Sequence, residues 1–151
     1  MEIRRALPTE ADLLADLWLR SRSAAAPSIP PTTHSDADVH QWFGEVVLLT
    51  CEVWVADRDG EVVALMVLDN EWISQLYVDP AAAGEGIGSD LIGHAKEARP
   101  TGLKLWTFQG NLRARRFYDS HGFVATASTT GENEEQEPDV RYEWRPSDPP
   151  G

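Results

Sequence analysis

Cysteine is almost absent from this chain of 151 residues: Cys51 stands alone, so no intrachain disulfide can form. Its setting among apolar residues predicts a buried thiol. Basic residues are also scarce, 13 Lys and Arg against 25 Asp and Glu, which leaves a net charge of −12. That balance argues against general nucleic-acid binding, which needs cations to neutralise phosphates. It argues equally against adhesion to anionic membranes, and it is compatible with a cationic substrate. No apolar run approaches a membrane span, and the N-terminus lacks a charged–apolar–small signal pattern, so a cytoplasmic protein is the default expectation. Neither an internal repeat nor a second domain is visible. The hydrophobic content of 42% and the six tryptophans argue for one folded globule.

What the chain does have is a concentrated glycine signal. The stretch Tyr77-Val-Asp-Pro-Ala-Ala-Ala-Gly-Glu-Gly-Ile-Gly-Ser-Asp-Leu91 leads from a short apolar strand, through a small-residue turn, into an amphipathic helix. Gly84, Gly86 and Gly88 leave backbone N–H groups unshielded at a helix N-terminus, a site suited to phosphate oxygens. No Lys-Ser/Thr pair follows, which excludes a Walker A loop, and Ser89 replaces the third glycine of a dinucleotide fingerprint. The glycines also have a purely conformational reading, as positions needing positive φ. Downstream, Asn111, Ala114 and Tyr118 recur on one helical face, the helix stops at Gly122, and a strand begins at Phe123.

Periodicity orders the remaining elements. A strand over 2–7 precedes a helix with a Thr9/Asp12 cap and a stripe of Leu13, Leu14, Leu17 and Trp18. A proline-bearing loop (24–33) leads to a second helix capped by Ser35 and Asp38. That helix carries Val39, Trp42, Phe43, Val46 and Val47 inward. Strands over 51–56 and 61–68 flank a hairpin turn at Asp57–Gly60, and the strand 72–78 enters the glycine loop. The helix 86–98 buries Ile87, Leu91, Ile92 and Ala95. A strand over 103–108, the Asn111 helix, a strand over 123–128, an acidic turn-rich segment (131–138) and a last strand over 140–144 complete the order. This β-α-α-β-β-β-α-β-α-β-β succession predicts an α/β (α+β) fold with a mixed sheet flanked by helices over residues 1–145, and a disordered tail over 146–151.

The two motifs together resemble the GNAT superfamily of acetyl-CoA-dependent N-acetyltransferases. That family has a Gln/Arg-x-x-Gly-x-Gly/Ala loop after its fourth strand, then an Asn-x-x-Ala-x-x-x-Tyr helix and Gly-Phe. Gly86, Gly88, Asn111, Ala114, Tyr118, Gly122 and Phe123 carry the match. Ala83 departs from it, since a side chain there normally helps hold the pyrophosphate. The resemblance implies a mostly antiparallel sheet, about four helices, and a splay between the fourth and fifth strands that admits pantetheine. Its walls would be Leu76 to Val78 and Trp106 to Phe108. It also implies a CoA site formed by Leu76, Tyr77, Val78, Ala83, Gly84, Glu85, Gly86, Ile87, Gly88, Ser89 and Asn111. Arg115 and Arg116 stand between phosphate contacts and a solvated face, with Arg113 beside them. No metal is expected, because the four histidines lack ligand spacing.

Acetyl transfer to an amine needs a neutral nucleophile, a donor for the oxyanion and a proton for the leaving thiolate. Alkyl amines titrate near ~10, so a base or water chain must first take a proton. By the resemblance, N–H groups near Tyr77 and Val78 meet the oxyanion and Tyr118 is the acid; its alternative role is an aromatic cap on the core. Glu71 at the start of the fourth strand is the first candidate base, against a solvated strand-end glutamate. His34, beside the proline loop, is the second, against a residue that merely precedes a helix cap. Asn111 has both a helix-capping and a pantetheine-binding reading. The acidic segment Glu132, Glu134, Glu135, Glu137 and Asp139 is either a hydrated run or a cation-attracting rim of the acceptor mouth. The expected activity is acetylation of a primary amine on a small cationic or peptide acceptor. The alternative is a degenerate acyl-CoA-binding sensor or interaction module, favoured by Ala83 and by Glu85 near the phosphates. A homodimer is left open.

Overall fold

The computed structural model describes residues 1–146, so the tail expected over 146–151 falls, from 147 on, outside the described residues. Seven strands form one sheet in the order β1-β2-β3-β4-β5-β7-β6: β1 Glu2–Arg5, β2 Glu52–Arg58, β3 Glu61–Asp69, β4 Trp72–Val78, β5 Leu103–Phe108, β6 Val124–Ser128 and β7 Asp139–Trp144. Every pairing is antiparallel except β4 with β5. Helices α1 (Ala11–Ala24) and α2 (Asp36–Trp42) cover one face. A π-helical turn, Phe43–Val47, and a short α3, Leu48–Thr50, extend α2. The other face is covered by α4 (Ile87–Ala98) and α5 (Leu112–Ser120). This is the single mostly antiparallel α/β domain expected. Among the described residues no helix is long and apolar enough to cross a membrane.

The central strand shows why the two layers hold. Val62 to Leu68 is buried at every position, because β3 is covered on both faces. Its side chains divide between a core with Leu14, Trp18, Phe43 and Val47 under α1 and α2, and a second core with Ile87, Leu91, Ile92 and Ala95 under α4. Each fully buried Leu or Met stabilises the fold by about 1.5–3 kcal/mol relative to exposure. The Asp59-Gly60 turn follows its sequence signal, with both residues at positive φ, 54° and 90°.

Local expectations fared unevenly. Ser35 caps α2 by accepting from the Asp38 N–H at 3.1 Å. The Thr9/Asp12 cap does not form. Instead the Glu10 carboxylate accepts from the Leu7 N–H at 2.8 Å while holding Arg4, and the chain enters α1 through a single 3-10 turn. The stripe of α1 is displaced as well: Leu13 is exposed, whereas Ser21 and Arg22 are buried with Leu14, Leu17 and Trp18. Val46 is exposed because the π-helical turn shifts the phase of its segment, and Cys51 is half-buried at the start of β2, not fully buried.

One connection between α1 and α2 is titratable. His40 places Nδ1 2.7 Å from Asp12 and Nε2 2.9 Å from Asp16, and the Asp12 carboxylate, then Asp16, raise its pKa above the ordinary 6.5. The pKa is raised in the folded state, so the stabilisation is fully present below about pH 6.5 and disappears as pH rises through the higher folded value. Both carboxylates are exposed, which limits the effect to under ~1 kcal/mol, or roughly 1–3 °C. His40→Gln should therefore lower the melting temperature by that amount at pH 6 and leave it unchanged at pH 9, as read by calorimetry.

Candidate active site

The site begins where β4 and β5 part. The strands are in register only at Trp72↔Lys104, supported by the Lys104 N–H to the Glu71 carbonyl at 2.9 Å. Beyond that point they diverge. A cavity of about 100 Å³ fills the gap, lined by Leu76 and Tyr77 from one strand and Trp106, Thr107 and Phe108 from the other. Ile29, Leu76, Tyr77, Asn111, Ala114 and Tyr118 also line a larger cavity of about 570 Å³ that runs to Ala83, Gly84 and Gly86 to Ser89. Of the expected cofactor residues, all but Glu85, Arg115 and Arg116 thus line one passage.

The glycine loop is built for anions. Asp79 ends β4, accepts from the Ala81 N–H at 3.0 Å and is held by Arg20 at 2.7 Å, the arginine keeping its carboxyl below the usual range. Gly84 and Gly86 adopt φ of 82° and 81°, and a Cβ on either would meet no protein atom. Gly88 differs, since its Cβ would press to 3.3 Å against the Phe117 ring. Asp90 is the first residue of α4 whose N–H is taken by the Gly86 carbonyl, so the preceding turn presents free donors toward the cavity. The Ala83 N–H is not among them: it donates to the Pro80 carbonyl at 3.3 Å, so the cradle starts at Gly84. Glu85 does not line the cavity and is neutralised by Arg58 at 2.6 Å, which removes the charge objection to phosphate there. The Ser89 hydroxyl lies 3.0 Å from His121 Nε2, in an imidazole whose pKa is lowered by burial and then by Lys96.

On α5, Asn111 caps the helix through its side-chain oxygen, 3.2 Å from the Ala114 N–H, and also lines the passage. Tyr118 is 8% exposed, burial raises the pKa of its phenol, and its hydroxyl makes no hydrogen bond among the described residues. The arginines are reassigned. Arg115 is turned away, donating to the Tyr142 hydroxyl at 3.0 Å and the Gln109 carbonyl at 3.3 Å, and Arg116 is exposed off the cavity. Arg113 is the one that lines it.

A third cavity, of about 490 Å³, lies under α1 and α2. His34 Nε2 contacts a Glu134 carboxylate oxygen on its wall, Thr33 donates to Glu134 at 3.1 Å, and Glu135 stands 3.6 Å from Arg22. Of the acidic segment, Glu134 and Glu135 line this cavity, as does His34, whereas Glu132, Glu137 and Asp139 do not. Trp42 lines this cavity too, half-buried. Glu71 does not: it sits in the turn before β4, paired with Lys104 at 3.2 Å, and lines none of the three cavities. Glu71 thus stands at the end of β4 where β5 is still paired, away from the divergent halves that line the gap.

Two residues here escape sequence reasoning. Trp18 donates from Nε1 to Gln75 Oε1 at 2.9 Å, stacks edge-on against Trp42 and Tyr77, and carries the Arg22 guanidinium 4.7 Å above its ring. Gln75 faces α1 because of a β-bulge: Val67 pairs with Gln75 but Leu68 with Ile73, which leaves Ser74 unpaired and reverses the alternation beyond it. The one available signal was the polar pair Ser21 and Arg22 at core positions of α1.

These contacts predict that Gly86→Val weakens acetyl-CoA binding by about 10²-fold, by blocking donors each worth ~1.5–3 kcal/mol to a charged group. In calorimetry, Arg113→Ala should weaken it several-fold and Arg116→Ala should leave it unchanged.

The comparisons with known proteins agree with this geometry. A family model described as "Acetyltransferase (GNAT) domain" matches residues 50–125, the span from β2 through the glycine loop and α5. The peptidyl-lysine N-acetyltransferase YjaB of Salmonella typhimurium is 32% identical over 129 residues, covering 83% of this chain and 85% of that protein. An uncharacterized N-acetyltransferase of Archaeoglobus fulgidus is 30% identical over 138 residues, covering 80% and 90%. Among solved structures, apo YjaB from Escherichia coli superposes with a TM-score of 0.77 at 24% identity, covering 95% of this chain and 96% of that one. The Salmonella typhimurium acetyltransferase yncA, solved with its cofactor acetyl-CoA, superposes at 0.70 and 20% identity, covering 100% and 96%. The chain belongs to the GNAT family of acetyltransferases.

Proposed function

We propose that this N-acetyltransferase carries the acetyl group of acetyl-CoA to the primary amine of a cationic acceptor, and that the side chain of a peptide lysine is the acceptor class. The observation that carries this reading is the continuous passage from the glycine cradle to the β4–β5 gap, with the Tyr118 hydroxyl unpartnered at its inner end. Pyrophosphate would lie on the N–H groups after Gly84, and pantetheine would extend along β4 as an added strand does. The amine nitrogen attacks the thioester carbonyl carbon. The nitrogen then gives up one of its two protons to water, the C–S bond breaks, and the thiolate takes the Tyr118 proton, which water restores. With its pKa raised by burial, that phenol holds the proton at every working pH.

The lysine reading draws support from the relatives named for peptidyl-lysine acetylation and from the acidic mouth. Asp38, Glu45, Glu134 and Glu135 line the third cavity beside Trp42, which suits an ammonium on an aliphatic stem. His34, tied to Glu134, is the remaining candidate to receive the ammonium proton through water.

Incubation with acetyl-CoA and a panel of lysine peptides, polyamines and amino acids, read by thiol release and by mass, tests the assignment; acetylation of no amine would overturn it. Tyr118→Phe should lower kcat by about 10²-fold while changing acetyl-CoA affinity less than twofold. Equal turnover in both proteins would leave Tyr118 a packing residue.

The mouth's charge makes a separate prediction. Attraction between exposed charges is screened, with a Debye length near ~10 Å at 0.1 M salt. Acceptor KM should rise with ionic strength, and the double change Glu134→Gln with Glu135→Gln should flatten that dependence. Kinetics indifferent to both would make the segment a hydrated face only.

A further inference from the structure

The acceptor cavity and the β4–β5 gap share one lining residue, Gln75, and the acceptor cavity shares none with the glycine-loop cavity. An amine that enters through the acidic mouth must therefore pass this side chain to reach a thioester held in the gap. The orientation of the carboxamide is set by chemistry. Trp18 Nε1 is only a donor, so the atom 2.9 Å from it must be the oxygen, Oε1. A carboxamide oxygen has two lone pairs, and Trp18 occupies one. Trp18 itself lines the acceptor cavity, which places Oε1 on that side.

The contrast along the path is one of charge. Carboxylates stand at the mouth, whereas Glu71 and Asp79, each four positions from Gln75, are paired with Lys104 and Arg20 and line none of the three cavities. A carboxylate beside an ammonium favours the protonated, unreactive form. A neutral oxygen accepts an N–H without that penalty, so the nitrogen keeps its lone pair for attack. We infer that Gln75 is the residue that orients the attacking amine, its Oε1 accepting an N–H of the acceptor nitrogen at the junction of the two cavities, with Trp18 as the positioning residue that fixes the carboxamide. The ammonium proton leaves to water on the mouth side. The N–C bond then forms, the nitrogen releases a second proton to water, the C–S bond breaks, and the sulfur's electron pair takes the Tyr118 proton, which water restores. This inference rests on the acceptor reading proposed above.

The test uses the full chain with acetyl-CoA and a lysine peptide. Gln75→Leu should lower kcat by about 10²-fold, the scale of a misplaced reactant, with acetyl-CoA affinity by calorimetry within twofold of wild type. Gln75→Glu should separate the constants: acceptor KM falls several-fold, while the rise of the pH–rate profile moves up by about one pH unit, because the new charge holds the ammonium form. Trp18→Phe keeps a ring under Arg22 but releases the carboxamide; it should lower the melting temperature through the smaller ring and lower kcat to an intermediate degree, with acetyl-CoA affinity still within twofold of wild type. Wild-type turnover by Gln75→Leu overturns the assignment of Gln75 alone. So does a Gln75→Glu enzyme with unaltered acceptor KM, or with a profile moved to lower pH. A wild-type enzyme that acetylates no amine overturns the acceptor reading and this inference together.

Discussion

Strand β4 is bonded to β3 along its length and to β5 at a single position, and the rest of the site depends on that asymmetry. A parallel neighbour would normally continue the ladder. Here the far halves of both strands instead leave a cleft whose facing edges are not paired with each other, a place inside the sheet where an extended ligand finds backbone partners. The glycine loop follows directly from the end of β4, and α5 starts three residues after β5, so the same divergence aims the anion cradle and the Tyr118 face at one passage.

A second departure from regular pairing acts on the other face. The bulge at Ser74 turns Gln75 and Tyr77 toward α1, where Trp18, Trp42 and Arg22 pack around them. The guanidinium of Arg22 is nearly enclosed, donating to the Tyr77 hydroxyl at 3.3 Å and the Pro30 carbonyl at 3.0 Å, close to Glu135. That arrangement ties the proline loop, the acidic connection and β4 into one wall. A charge buried this way is retained only where its partners are fixed, so it specifies geometry more than it adds stability.

The sequence made the local devices legible. The glycines ahead of α4, the asparagine cap and glycine stop of α5, and the Asp-Gly turn are short-range patterns whose chemistry is complete within a few residues. Tertiary decisions were not legible. Glu71 and Gln75 lie four residues apart on the same segment, and the choice between them rests on a bulge paired to β3 and on where β5 departs. Arg115 and Arg113 are two positions apart on one helix, and only the Tyr142 hydroxyl, 27 residues away, draws Arg115 out of contention. Nothing local announces that Trp18 and Pro30 enclose Arg22.

The cleft also divides the molecule mechanically. Asn111 and Tyr118 ride on α5, which Arg115 anchors to β7, whereas the glycine cradle and Gln75 belong to the β1–β4 half. Besides the one paired position, the halves are joined through the apolar flank of α4, which packs on both, and through the contacts of Glu134 and Glu135 with Thr33, His34 and Arg22. A molecule lying in the passage would touch each half along its length and act as a brace between them. The folded state would then be stabilised as the logarithm of ligand concentration over dissociation constant. Occupancy of the passage thus adds to the contacts that hold the two halves against unfolding, across the seam where the sheet itself supplies one pairing.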